Sequence, residues 1–135
     1  MVNYLRKIKD GKHNLIVIKN DKIIFKSNNP GLKDLLFASE KNFLENAIIY
    51  DKLIGLAAAK IAVFSKAKEL HTLLASELVV AFCQNKKIPL KAEKIVERMY
   101  DSKNKNECYL EKIAQKINNL PAFLKHFKRD GQNSL

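Results

Sequence analysis

The sequence predicts an α/β domain built on a mixed sheet, parallel in its second half, with helices on both faces. Two observations lead there. Runs rich in β-branched residues alternate with helix-forming stretches along most of the chain. Near the middle, the apolar run Ala47 to Tyr50 passes through Asp51 into an alanine-rich stretch, Leu53 to Val63. Four apolar residues without alternation read as a strand buried on both faces, which belongs inside a sheet. The alanines that follow form helix readily and let that helix lie close against the sheet. Asp51 is therefore expected where the central strand hands over to a helix beginning near Lys52 or Leu53.

Taken in order, Tyr4, Leu5 and Ile8 have helical spacing, and Asp10-Gly11 stops that first helix. Leu15 to Ile18 and Ile23 to Phe25 are strand-like runs joined by the turn-prone Lys19-Asn20-Asp21-Lys22, a hairpin. Asn28-Asn29-Pro30-Gly31 offers an Asn cap with Pro at the first helical position, and Leu32, Leu35 and Leu36 make one apolar face of a helix reaching about Ser39. After the alanine-rich helix, Lys66-Ala67-Lys68 places positive charge at its carboxyl end.

Leu70 to Ala75 reads as a strand, and Ser76 as the N-cap of a helix from Glu77 to Gln84 that Asn85 closes. Ile88 to Glu93 reads as an edge strand because of Pro89 and its interleaved charges. Ile95, Val96 and Met99 suggest a short helix after it. Residues 109–131 are expected as a C-terminal helical extension carrying Phe123, Leu124 and Phe127, with 132–135 a loose tail.

The chain of 135 residues suits one domain, 1–135, with 47% hydrophobic content to fill a core. Its two cysteines, Cys83 and Cys108, make no Cys-x-x-Cys pair and no disulfide framework, which fits a reducing, cytoplasmic setting. No stretch has the length and apolarity of a signal peptide or a membrane span, so no membrane partner is expected. The net charge of +11 is compatible with nucleic acid. It is spread over nearly every segment, however, and the basic runs are pairs such as Lys86-Lys87, so a solvated basic surface is favoured over dedicated nucleic-acid binding.

Leu15 to Ser27, the element Asp51-Lys52-Leu53-Ile54-Gly55-Leu56-Ala57-Ala58-Ala59, and Cys108 resemble a bacterial family of unknown function with a cytidine-deaminase-like fold. The resemblance covers residues 4 to 112. It implies a three-layer α/β/α cytidine-deaminase-like domain with a mixed five-stranded sheet. It also sets Asp51 about where zinc deaminases carry their Pro-Cys-x-x-Cys turn. The chain departs from the family in two places: Leu56 follows Gly55 where members commonly carry a basic residue, and Cys108 lacks the flanking Thr-Gly and Pro.

Zinc deamination needs His or Cys two residues before a Glu, then Pro-Cys-x-x-Cys, so that three ligands hold a metal-activated water beside a proton-shuttling carboxylate. His13, His71, His126, Cys83 and Cys108 all lack that Glu, and no Cys-x-x-Cys occurs. Neither a metal site nor a cofactor is expected.

The candidate catalytic residues are Asp51 and Cys108, and the candidate ligand-binding residues are Asn29, Lys52 and Gly55. Each has a plainer reading. Asp51 serves equally as an ordinary helix N-cap, Lys52 as a solvated lysine, and Gly55 as a packing glycine. Asn29 reads as a cap, and Cys108 as an inert thiol unless the helix it opens lowers its pKa. Cys83 reads as core, and His71 as packed or surface. The expected function is binding of, or action on, a small nucleotide-like or nucleobase-like ligand near Asp51. The alternative is a non-catalytic interaction or scaffold module, or weak nucleic-acid binding through the diffuse basic surface. A homo-oligomer is compatible with both.

Overall fold

The computed structural model describes residues 3–29 and 32–97. Cys108, Met99, the extension 109–131, the tail 132–135 and the pair Pro30-Gly31 lie outside the described residues. The element order is α1 (Tyr4–Lys9), β1 (Leu15–Lys19), β2 (Lys22–Ser27), α2 (Lys33–Glu40), β3 (Ile48–Ile54), α3 (Leu56–Phe64), β4 (Glu69–Ser76), α4 (Glu77–Asn85) and β5 (Leu90–Val96).

The five strands form one sheet in the order β2-β1-β3-β4-β5. β1 runs antiparallel to both β2 and β3, and β3, β4 and β5 run parallel. This is the three-layer α/β/α arrangement with a mixed five-stranded sheet that the resemblance implies. On one face, α2, α3 and α4 bury a large core that includes Leu15, Leu35, Ile49, Leu56, Ile61, Leu70 and Val79. On the other, α1 covers a smaller one, where Ile8, Ile16 and Ile18 meet Tyr4, Ile48, Tyr50 and Leu73. Among the described residues, no helix is long and apolar enough to cross a membrane.

Local chemistry explains the elements. Asn20 and Asp21 both adopt positive φ, 54° and 64°, which is the mirror-image two-residue turn whose twist suits a hairpin. Asn and Asp tolerate that backbone better than other side chains do. α3 is apolar nearly all round because it lies between sheet and flanking helices: Leu56 to Ala62 are all buried. Even Lys60 is only 5% exposed; its Nζ lies 5.8 Å from the centre of the Phe82 ring. Burial, and then the nearby positive Lys86, lower the pKa of that ammonium.

α2, α3 and α4 end alike, with Asn42, Lys66 and Lys87 in the left-handed region and the next residue's N–H reaching back five residues to a carbonyl. These are Schellman closures without the usual glycine. Lys66 thus ends α3 through its backbone, beyond the charge effect the sequence suggested, and Lys87 closes α4 in place of the expected Asn85, which is the last helical residue. Ser76 caps α4 as expected, its hydroxyl accepting the Val79 N–H at 3.3 Å.

Three further boundaries differ from expectation. β3 runs on through Asp51 to Ile54 because Leu53 and Ile54 pair with Leu74 and Ala75 of β4, and α3 starts only at Leu56 with Gly55 at its N-cap. Asp51 is a strand residue and caps no helix. α2 begins at Lys33 with Leu32 at the N-cap and no side-chain cap. Neither Asn28 nor Asn29 caps it; the Asn28 carbonyl accepts from Asn14 Nδ2 at 2.8 Å instead. β5 continues to Val96, where Ile95 and Val96 pair with Ala75 and Ser76. The sheet ladder there outweighs the helical spacing of Ile95, Val96 and Met99. The edge position expected for this strand is correct.

Candidate functional site

Asp51 lies in the middle of the central strand. Its register partners are Leu15 on β1 and Thr72 on β4, and Leu15 in turn pairs with Ser27 and Thr72 with Ala92. Directly paired residues share a face of the sheet. Ser27, Leu15, Asp51, Thr72 and Ala92 therefore form one row across it, and Leu15 and Ala92 pack into the large core, so the row faces α2, α3 and α4.

At this row the sheet breaks. Register partners are Asp51 with Thr72 and then Leu53 with Leu74, so Lys52 and Leu73 are left out of the β3–β4 ladder. Leu73 is left out of the β4–β5 ladder too. Strict alternation would send Ile49 and Ile54 to opposite faces, and likewise Leu70 and Ala75. All four belong to the same large core. Both strands change phase together at one level.

The side chains of the row support that change. The backbone N–H of Leu53, and then that of Lys52, which itself donates to the Asn14 carbonyl at 3.0 Å, favour the charged form of the Asp51 carboxyl. Thr72 Oγ1 accepts the Leu74 N–H at 3.3 Å and donates to the Leu74 carbonyl at 3.1 Å. Thr72 thus captures the amide two residues ahead in its own strand, and the amide at the same offset from Asp51, that of Leu53, favours its carboxylate.

Asp51 is half-buried. The surrounding protein raises its pKa from 3.8 to about 7, because desolvation of the carboxylate outweighs the two N–H donors. A carboxyl of that kind is present in both protonation states near neutral pH. It can donate a hydrogen bond as the acid or accept as the anion.

A second polar group stands at the β2 end of the row. Ser27 Oγ donates to Asp34 Oδ2, Asn29 Nδ2 donates to the same oxygen at 3.0 Å, and the Asn29 N–H donates to Ser27 Oγ at 3.0 Å. Asp34 occupies the first turn of α2, where a negative charge complements the helix dipole. Leu15 separates this cluster from Asp51 in the row, a span of two strand spacings, about 10 Å.

The candidate residues are therefore only partly brought together. Asn29 belongs to the Ser27–Asp34 cluster. Gly55 sits just past the carboxyl end of β3, with extended backbone at φ −92° and ψ −179°. Lys52 is exposed and contributes its backbone N–H to the Asn14 carbonyl at 3.0 Å. Cys83 is core, and burial pushes its thiol up to about 11. Among the described residues, no three His, Cys, Asp or Glu side chains come together as a metal-ligating group.

The sequence reading missed Ser27, Asp34 and Thr72. Thr72 had a signal, as a polar residue inside the apolar strand Leu70 to Ala75. Asp34 and Ser27 had none that separates them from ordinary surface residues.

The family model described as TM1506, domain of unknown function (DUF1893), matches residues 4–129. The chain belongs to this family. The crystal structure of a DUF1893 family protein (TM1506) from Thermotoga maritima is similar over 94% of this chain and 86% of that one, with a TM-score of 0.81 at 18% identity. At that identity the likeness is one of fold. Acinetobacter baumannii RibD is similar in part in two forms: TM-score 0.48 at 16% identity over 83% of this chain and 32% of that one, and 0.47 at 15% over 90% and 37%. No curated protein matches the chain.

Proposed function

We propose that this DUF1893 protein binds a small nucleotide-like or nucleobase-like ligand beside Asp51, on the helix-covered side of the sheet and toward the carboxyl ends of β3 and β4. The observation that supports this reading is the Asp51 carboxyl itself, half-buried in a central strand and held at about 7 by desolvation. Carboxylates are seldom placed this way for stability alone, and perturbed groups of this kind gather at functional sites. Ring nitrogens and exocyclic amino or keto groups of a heterocycle suit a carboxyl that both donates and accepts. The crevice past the carboxyl ends of parallel strands is also where α/β sheets commonly hold ligands.

Any chemistry at the site would use Asp51 as a proton donor or acceptor, with Cys108 a further candidate outside the described residues. Asn29, Lys52 and Gly55 remain candidates for contacting the ligand's polar groups. Zinc-dependent deamination is not part of the proposal, because the chain has neither the His-x-Glu nor the Pro-Cys-x-x-Cys donor set.

A second reading, a non-catalytic interaction or scaffold module, is favoured by Leu56. This residue opens α3 beside Gly55, is 3% exposed and packs into the large core. An apolar side chain turned inward at that helix start gives a phosphate no partner.

Thermal-shift screening against nucleotides, nucleosides and nucleobases separates the two, using wild type and Asp51→Asn. Asparagine keeps an oxygen for the Leu53 N–H and removes the titrating proton. A compound that stabilises wild type by mass action and loses that effect in Asp51→Asn supports the ligand-binding reading. Equal stabilisation of both proteins removes Asp51 from it, and a screen in which nothing stabilises wild type favours the scaffold reading.

A further inference from the structure

We infer that Thr72 is a positioning residue for Asp51, acting through the phase change that the two strands share. This rests on the reading of Asp51 as the centre of the site, but the coupling itself needs no ligand.

Thr72 is fully buried, at 0% exposure. Its hydroxyl is used entirely within β4, accepting the Leu74 N–H and donating to the Leu74 carbonyl. The corresponding amide on β3, that of Leu53, favours the Asp51 carboxylate. The two are register partners, and Lys52 and Leu73, the next residues along, are the ones left out of the ladder. Because Leu53 pairs with Leu74 and Ile54 with Ala75 directly afterwards, a phase change in one strand without the other would cost those pairings. Neither strand can therefore straighten alone. The Asp51 carboxyl keeps its place and its Leu53 donor only while Thr72 keeps β4 in the matching path.

The sequence supports a specific role for the hydroxyl. Valine has the same shape, packs as well in a buried strand and leaves no polar atom to satisfy. Threonine here gives the Leu74 N–H and carbonyl a hydroxyl partner that valine would remove.

Amide and carboxyl NMR across pH 4 to 9 tests the inference on the intact protein. In wild type, the amide signals of both Leu53 and Leu74 are expected to titrate with the midpoint of the Asp51 carboxyl, since protonating Asp51 weakens its hold on Leu53 and the pairing carries the change to β4. In Thr72→Val, the Asp51 midpoint should move upward as its donor is displaced, and exchange of the Leu53 amide should quicken. Thr72→Ser keeps the oxygen and should restore both. Titration of Leu53 alone in wild type, with Leu74 unmoved, would overturn the inference whether or not the valine variant folds. So would a folded Thr72→Val protein in which only the Leu74 amide changes. Either result leaves ligand binding at Asp51 to be decided by the ligand screen.

Discussion

Tyr50 and His71 are register partners on β3 and β4, and their rings stack with centroids 4.5 Å apart and planes 20° from parallel. They lie on the α1 side of the sheet, where Tyr4 meets Tyr50 at 5.2 Å between ring centroids and Glu69 Oε2 meets His71 Nε2 at 2.7 Å. The next residues along the two strands are Asp51 and Thr72. The stack thus joins β3 to β4 just before both change phase. Burial, then the negative charge of Glu69 and then Tyr4, raise the Tyr50 pKa, so its hydroxyl stays neutral at ordinary pH. His71 is packed in this cluster.

His71→Ala should lower stability by about 1 to 2 kcal/mol, from loss of the ring pair together with the Glu69 contact. Urea unfolding at neutral pH measures it. A change within the error of the midpoint would show that the stack contributes nothing to joining the strands.

Ile49 is 1% exposed in the central strand and belongs to the large core. Ile49→Asp should cost about 4 kcal/mol or more, since it removes apolar contact and buries an unpaired carboxyl. Loss of the cooperative thermal transition, or a large fall in its midpoint, is the expected reading. Asp51 sits two positions further on the same strand, and its raised pKa is the milder form of the same desolvation.

Lys66 and Lys87 occupy the left-handed position of Schellman closures, with φ of 65° and 59°. Replacing either by glycine relieves the contact of Cβ with its own carbonyl, partly offset by the extra freedom glycine has in the unfolded chain. A gain of roughly 0.5 to 1 kcal/mol is expected from each change. The two sites close different helices, so the gains should add in the double variant.

Much of this architecture can be read from residue patterns, and what those patterns miss lies in contacts that local chemistry does not contain. The hairpin is legible because Asn20-Asp21 is a local signal, and α4 because Ser76 caps it locally. The helix starts after β2 and β3 are not, since local cap chemistry there is overridden by side-chain contacts in one case and by strand pairing in the other. Asp51 has the chemistry of a cap, but Leu53 and Ile54 find partners on β4 and the strand continues. Asn29 has the chemistry of a cap too, and is engaged by Ser27 and Asp34 instead. Thr72 matters through its register with Asp51, a relation between residues far apart in the chain that no spacing rule contains. The apolar run before Asp51 marks the right strand, but the cap role that its chemistry suggests is not the one it has in the structure.

Asp51→Asn should change the pH dependence of stability in a defined direction. The wild-type carboxyl has a folded pKa near 7 against an ordinary value of 3.8. Between those values the native state holds a proton that the unfolded state has released, so wild-type stability from this group falls as pH rises from 4 to 7 and is level beyond. Asparagine removes that fall. The variant should match wild type near pH 4 and exceed it at pH 8 by roughly 1 to 3 kcal/mol, below the full linkage value because the residue keeps some contact with solvent. Denaturant unfolding at both pH values checks it, and a wild type that is equal or more stable at pH 8 would count against the raised pKa.

The Asp51 carboxyl, in a central strand and held near neutrality by its surroundings, can be observed directly. Side-chain carboxyl carbon NMR, with Asp51 assigned by its disappearance in Asp51→Asn, follows its ionisation from pH 3 to pH 9. A midpoint close to 7 is the predicted result. A midpoint near 4, that of an ordinary exposed aspartate, would contradict the account, leaving Asp51 a strand residue with no special chemistry.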